Sequence, residues 1–149
     1  MIEWYKDDAL IIYFSNSPCT AMRIIMPSMG EWEKKQIRKY PFLNKKTLNI
    51  NIFVNGKEFI INIPKNYTWD GATIPHFLWR LIGPPTSPEF LIPSMVHDKL
   101  CERHNLINNN RNLSSKIFKA LLLSSGVNKF KAQTMYLAVE LYQMIKGNW

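Results

Sequence analysis

A chain of 149 residues, 46% hydrophobic and 20% charged, fits one domain with a core that needs no disulfides, and is too apolar for a disordered protein. No apolar run approaches the roughly eighteen residues of a membrane span, and the opening Met-Ile-Glu-Trp-Tyr-Lys-Asp-Asp places acids where a secretory leader needs a basic and then an apolar stretch. A net charge of +8 favours an acidic partner, either nucleic acid or an acidic protein surface, although richness in Lys, Asn and Ile also follows from AT-rich coding.

Residues 9–14, Ala-Leu-Ile-Ile-Tyr-Phe, form an apolar run suited to a buried strand. Ser15 to Pro18 reads as a turn, and Thr20–Met26 as a second strand that ends at Pro27. From Glu31 to Lys46 the chain turns polar and basic, with Lys34, Lys35, Arg38, Lys39, Lys45 and Lys46 set among Trp32, Tyr40 and Phe42. Cations interleaved with aromatics can track a nucleic-acid backbone and stack on bases. The plainer reading is a solvated loop or helix face whose aromatics anchor it to the core.

The clearest local signal is Leu48 to Ile63. Leu48, Ile50, Ile52 and Val54 alternate with other residues, and Asn55-Gly56 offers the two positive-φ positions of a tight hairpin turn before Lys57–Ile63 returns. Ser87-Pro88-Glu89 resembles a helix start, so a helix is expected from about Pro88 to about His104, kinked or delayed by Pro93. Asn105–Asn112 reads as a loop. Further helices are expected over Leu113–Ser125, stopped by Gly126, and over Lys129–Lys146, burying Met135, Val139 and Tyr142 or their neighbours. The expected fold is α+β in a single domain over 1–149: small antiparallel β-hairpins in a β-rich part (1–66), a motif loop (67–87), and a helical part (88–149) of about three helices.

The chemistry concentrates between Tyr67 and His104, which hold all three histidines, His76, His97 and His104. Asp70-Gly71 marks a turn in which the Asp side chain could simply cap backbone N–H groups. On a continuous helix His97, Cys101 and His104 share a face, with donors that suit zinc. That spacing matches no established zinc pattern, and Cys101 could equally be a small core residue. A stronger grouping joins Asp70 to His97 and Asp98. Two carboxylates and an imidazole could hold Mg, Mn or Zn and generate hydroxide, or His97 could act as a general base without metal. The competing reading is a buried polar network tying the β half to the helical half. His76, Cys101 and His104 remain optional extra ligands. Cys19 and Cys101 are the only cysteines, which points to a reducing compartment. No P-loop, G-x-G-x-x-G, G-x-S-x-G, H-E-x-x-H or C-x-x-C occurs.

Trp-Asp-Gly-Ala-Thr-Ile-Pro (69–75), Phe-Leu-Trp-Arg-Leu-Ile-Gly-Pro-Pro (77–85) and Val-His-Asp-Lys-Leu-Cys (96–101) together resemble the phage-associated family known as domain of unknown function 1353. The likeness is close over Trp69–Cys101 and looser through Ile117–Leu121 to Trp149. It implies a phage or prophage gene and carries Asp70, His97 and Asp98 as family positions. Ser115 stands where the family tends to have an acid, Pro93 where small residues are usual, and His76 where Arg is common. Two functions are therefore expected to compete. One is a metal-assisted hydrolytic site at Asp70, His97 and Asp98. The other is a non-enzymatic phage component, a virion or tail protein or an inhibitor of host defence, that binds through Trp32–Lys46. The location would be the host cytoplasm or the virion, with no membrane partner.

Overall fold

The computed structural model describes residues 1–71 and 87–146. His76, the remainder of the 69–75 turn and Gly83-Pro84-Pro85 lie outside the described residues. Seven strands occur among the described residues: β1 (Ile2–Lys6), β2 (Leu10–Phe14), β3 (Thr20–Met22), β4 (Phe42–Asn44), β5 (Leu48–Val54), β6 (Lys57–Ile63) and β7 (Thr68–Trp69). With them stand four helices: α1 (Glu31–Lys39), α2 (Leu91–Glu102), α3 (Arg111–Ser124) and α4 (Lys129–Lys146). The architecture is α+β, with antiparallel sheets in the N-terminal half and helices in the C-terminal half.

The main sheet runs β1-β2-β5-β6 and is antiparallel throughout. Its centre is the hairpin legible in the sequence. Asn55 and Gly56 take φ of 51° and 79°, and the strands pair from Val54 with Lys57 to Leu48 with Ile63. Alternation sends Leu48, Ile50 and Ile52 of β5 and Ile61 and Ile63 of β6 to one face, where all are fully buried. Each such side chain contributes about 1.5–3 kcal/mol by leaving water. The core continues into Met95, Val96 and Leu100 of α2 and Leu113, Ile117 and Leu121 of α3. A second cluster, Phe90, Phe118, Leu122, Ala132, Met135 and Val139, joins α3 to α4.

The helical boundaries differ from the sequence reading in three places, each for a local reason. Pro88–Phe90 form a 3-10 turn and regular helix begins at Leu91. Pro93 therefore sits in the first turn, where its missing N–H costs no helical bond. Helix α2 stops at Glu102, because Arg103 takes φ −130° and ψ 66°. His104 thus starts a separate 3-10 turn and leaves the face shared by His97 and Cys101, its Nε2 against the Cys101 carbonyl. Helix α3 begins at Arg111 because the Asn110 side chain caps it, accepting from Leu113 N at 3.0 Å. On α4 the buried face is Ala132, Met135, Val139 and Gln143, with Tyr142 turned outward.

Strands β1, β4 and β7 carry no strong pattern of their own, and β3 is shorter than expected because only Thr20–Met22 find partners, on β4. The small sheet β3-β4-β7 holds Thr68 and Trp69, the residues that lead into Asp70.

Candidate functional site: a carboxyl pair at the seam between the two halves

Beyond β6 the chain turns at Pro64. Asn66 adopts φ 74°, and its N–H donates to the Asn44 carbonyl at 2.7 Å. The Asn44 side chain, fully buried, donates to the carbonyls of Ile63 and Pro64 at 3.2 and 3.0 Å. These bonds hold β7 against β4. Trp69 then becomes the pin between the halves. It is buried beside Phe42, with ring centroids 5.7 Å apart, and its indole N–H donates to Ser94 Oγ of α2 at 3.0 Å. Fixing Trp69 fixes the next residue, Asp70.

Asp70 is exposed, and Asp98, half-buried on α2, comes to lie beside it. Burial first, then the hydrogen bond and like charge of Asp70, and then the Glu102 carboxylate one turn on, push the Asp98 carboxyl up to about 9. The Asp70 backbone N–H partly offsets this by donating to Asp98. At neutral pH Asp98 therefore keeps its proton. Tyr67 lines the same seam: its hydroxyl donates to Glu102 Oε1 at 3.0 Å, and Lys99 Nζ lies 5.3 Å from its ring centroid.

His97 takes the other direction. Neighbouring side chains diverge by about 100° on a helix, and this one is buried against Phe118 of α3, ring centroids 5.1 Å apart. Burial holds its imidazole down at about 4, with the Glu140 carboxylate pulling the other way, so at neutral pH it is uncharged. Cys101 Sγ lies 3.8 Å from both ring nitrogens, equidistant from the two. Its thiol is pushed up to about 12 by burial and by Asp98, which leaves no thiolate to ligate or attack. Asp70 and Asp98 are thus brought together, His97 and the half-buried Cys101 form a set with Gln143, and His104 turns onto the Cys101 carbonyl. Among the described residues no three His, Cys, Asp or Glu side chains are grouped so as to hold a metal ion.

Two carboxylates escaped the sequence reading. Glu102 had a usable signal, standing four residues after Asp98 on one helix. Glu140 had none, since it reaches the site from α4, twenty-five residues beyond Ser115. The Ser115 hydroxyl donates to Glu140 Oε1, so a carboxylate does occupy the neighbourhood where Ser115 replaced the expected acid.

The basic segment separates into parts. Ile37 and Phe42 anchor it in the core, whereas Trp32 is 73% exposed and anchors nothing. Lys34 pairs with Glu31 at 3.7 Å, Lys39 Nζ stands 5.3 Å from the Tyr40 ring centroid, and Lys35, Arg38, Lys45 and Lys46 are exposed. Trp32 and Tyr40, with Arg23, Ile24 and Met29, line a groove of about 710 Å³.

Residues 47–139, more than half of the chain, match the family model described as "Protein of unknown function (DUF1353)". The chain belongs to this family. The match takes in both members of the carboxyl pair as well as His97. Among curated proteins the chain is similar to "Uncharacterized protein y4jT" of Sinorhizobium fredii (strain NBRC 101917 / NGR234), 29% identical over 99 residues, which cover 61% of this chain and 29% of the relative. It is also similar to "Uncharacterized protein y4iH" of the same strain, 31% identical over 70 residues, 47% of this chain and 28% of the relative. The chain spans less than a third of the length of these relatives. No solved structure gives a significant match.

Proposed function

We propose that this DUF1353 chain carries a hydrolytic site centred on Asp70 and Asp98, in which a divalent cation of the Mg or Mn type replaces the proton the pair shares. The observation that carries the reading is the juxtaposition of the two carboxyls at the seam, with Asp98 held protonated to about 9. A like-charged pair in that state is electrostatically incomplete, and a cation completes it as well as a proton does. The donor set favours a hard ion. Among the described residues, two carboxylates with no thiolate or imidazole beside them fall short of a zinc site. Mg, in contrast, is commonly held by one or two carboxylates, keeps its waters and takes further oxygens from substrate phosphates. The substrate class that follows is a phosphate ester or phosphodiester rather than an amide. When bound, the ion would supply an acidified water and neutralise phosphate charge. Asp70 and Asp98 would hold it, while Trp69, locked to Ser94, would keep them in register.

The test is calorimetric titration with Mg and Mn in two buffers of different ionisation heat, beside hydrolysis of bis(p-nitrophenyl) phosphate. The expected result is proton release on binding, with affinity rising up to about tenfold per pH unit below the Asp98 value, and turnover lost in folded Asp70→Asn and Asp98→Asn. Absence of binding at millimolar cation together with absence of turnover would sink the proposal. Metal-independent amide cleavage would replace it with acid–base catalysis by the carboxyl pair alone.

A second reading is favoured by the exposed Trp32. A Trp, Tyr, Arg and Met lining is the composition of protein-binding hot spots, and it supports a non-enzymatic phage component, virion protein or defence inhibitor that meets an acidic partner through α1. A shift of Trp32 emission on adding such a partner, absent in an otherwise unchanged Trp32→Phe protein, is its signature.

A further inference from the structure

We propose that the outer face of α4 is a dimerisation surface that pairs antiparallel with the same helix of a second copy of this chain. Helix α4 has two apolar faces. One, Ala132, Met135, Val139 and Gln143, is buried against the rest of the molecule. Diametrically opposite, at about 100° per residue, Phe130, Leu137, Leu141, Met144 and Ile145 are 55–79% exposed. Phe130, Thr134, Leu137, Leu141 and Met144 follow one another at steps of four, three, four and three. That is the spacing of a seam that packs on another helix, and it differs from the scattered exposure of single apolar residues that any surface carries.

The occupant follows from the shape of the stripe. No charged side chain falls within it, so doubling it buries no charge. Laid antiparallel on itself with Leu137 at the two-fold axis, it sets Phe130 against Met144 and the small Thr134 against Leu141, and opposes the helix dipoles favourably. Five large side chains, each more than half exposed, offer on the order of 500 Å² per copy if a large side chain presents about 150–200 Å². The pair would then bury about 1,000 Å², which reaches the lower bound for a specific association. The inference is independent of the carboxyl pair, which lies on α2 and at Asp70, just after β7.

Light scattering coupled to size exclusion, on the full chain over roughly 1–100 µM, the range in which an interface of this size is populated, should give about twice the 17.5 kDa of the monomer. Leu137→Glu with Leu141→Glu should return it to one copy with unchanged far-UV circular dichroism, because both residues are already solvated in the monomer. The geometry is read by oxidative cross-linking in a Cys19→Ser background. Leu137→Cys, at the axis, should form a covalent dimer, whereas Phe130→Cys alone should not. A monomer at every concentration overturns the proposal, whether the face then proves to be covered by further chain or to bind lipid vesicles. A dimer that survives the double Glu variant also overturns it. Cross-linking through Phe130→Cys but not Leu137→Cys rejects the antiparallel arrangement.

Discussion

Asp98→Asn should make this protein more stable at neutral and mildly basic pH, the reverse of the usual effect of altering a half-buried hydrogen-bonded residue. The reason lies in the sign of the linkage. An Asp whose folded value is raised binds a proton in the native state that the unfolded chain has released, so its stabilising contribution is complete below the unfolded value and disappears as pH climbs through the folded one. For Asp98 that window runs from the ordinary Asp range to about 9. Each pH unit within it costs at most about 1.4 kcal/mol, so the ceiling at pH 7 is about 4 kcal/mol. Solvent at the exposed Asp70 screens the interaction, and about 2 kcal/mol is the better expectation. Asn is isosteric, cannot ionise, and can still donate to Asp70 and accept from its backbone N–H. His97 titrates with the opposite sign. Its value is held down at about 4, so its contribution is present above the ordinary His range and is lost as pH falls towards 4. In the wild type the two slopes therefore nearly cancel from about pH 4 to 6.5, and stability then falls towards 9. In Asp98→Asn the His97 rise is exposed and is followed by a plateau. Urea unfolding across this range, read as midpoint and slope, reports both; thermal scans at pH 7 should show a gain of about 4–8 °C. A variant less stable than wild type at pH 7, or a curve parallel to the wild type from pH 4 to 9, would refute the reasoning.

Two further outcomes follow from the same geometry. A thiol reagent at about pH 8, below the unperturbed thiol value, should label the exposed Cys19 in the native protein and leave Cys101 untouched until unfolding, since burial and Asp98 hold that thiol at about 12; equal labelling of both would remove the case for a closed His97–Cys101 set. Ser94→Ala strands the buried Trp69 indole N–H and should cost about 1–3 kcal/mol. It should also let Asp98 titrate closer to its ordinary range as the motif loop loosens, which carboxyl NMR shifts would detect; an unchanged midpoint would mean that Trp69 is not the pin.

The parts of the fold that could be read from the chain are those whose causes are local. Alternation from Leu48 to Ile63 around Asn55-Gly56 defined the hairpin, because the turn needs φ values that Asn and Gly supply cheaply. The extent of α4 was likewise plain. Strands β4 and β7 were not, since a two- or three-residue strand exists only because a distant neighbour pairs with it, and the five residues of β1 carry no strong alternation of their own. Helix ends moved for reasons of side-chain capping, as at Asn110, or of a single backbone turn, as at Arg103. At the candidate site, one pairing was legible and the rest of the grouping was not. Asp70 with Asp98 was anticipated; what separated His97 from them was the rotation of α2 fixed by the Phe118 and Trp69 contacts, and no spacing rule contains that.

That rotation bears on function. If α2 were turned so that His97 faced Asp70, the imidazole would be a cation beside a carboxylate, the Asp98 proton would be unnecessary, and the seam would hold an ordinary ion pair. With His97 instead neutral against Phe118, only a proton and the Asp70 backbone N–H compensate Asp98 among the described residues. A structural network would be expected to relax towards full pairing, because an uncompensated carboxyl pair destabilises the fold at neutral pH and any neutralising substitution removes the cost. The pair stands at the exposed Asp70, next to Trp69, which is held by both β4 and α2. Strain of this electrostatic kind, held in place by surrounding structure, is the observation on which the proposed cation site rests. Binding such a ligand should therefore do two things at once, releasing the proton and tightening the junction of sheet and helices. A rise in melting temperature with Mg that vanishes in Asp98→Asn is the joint signature of both.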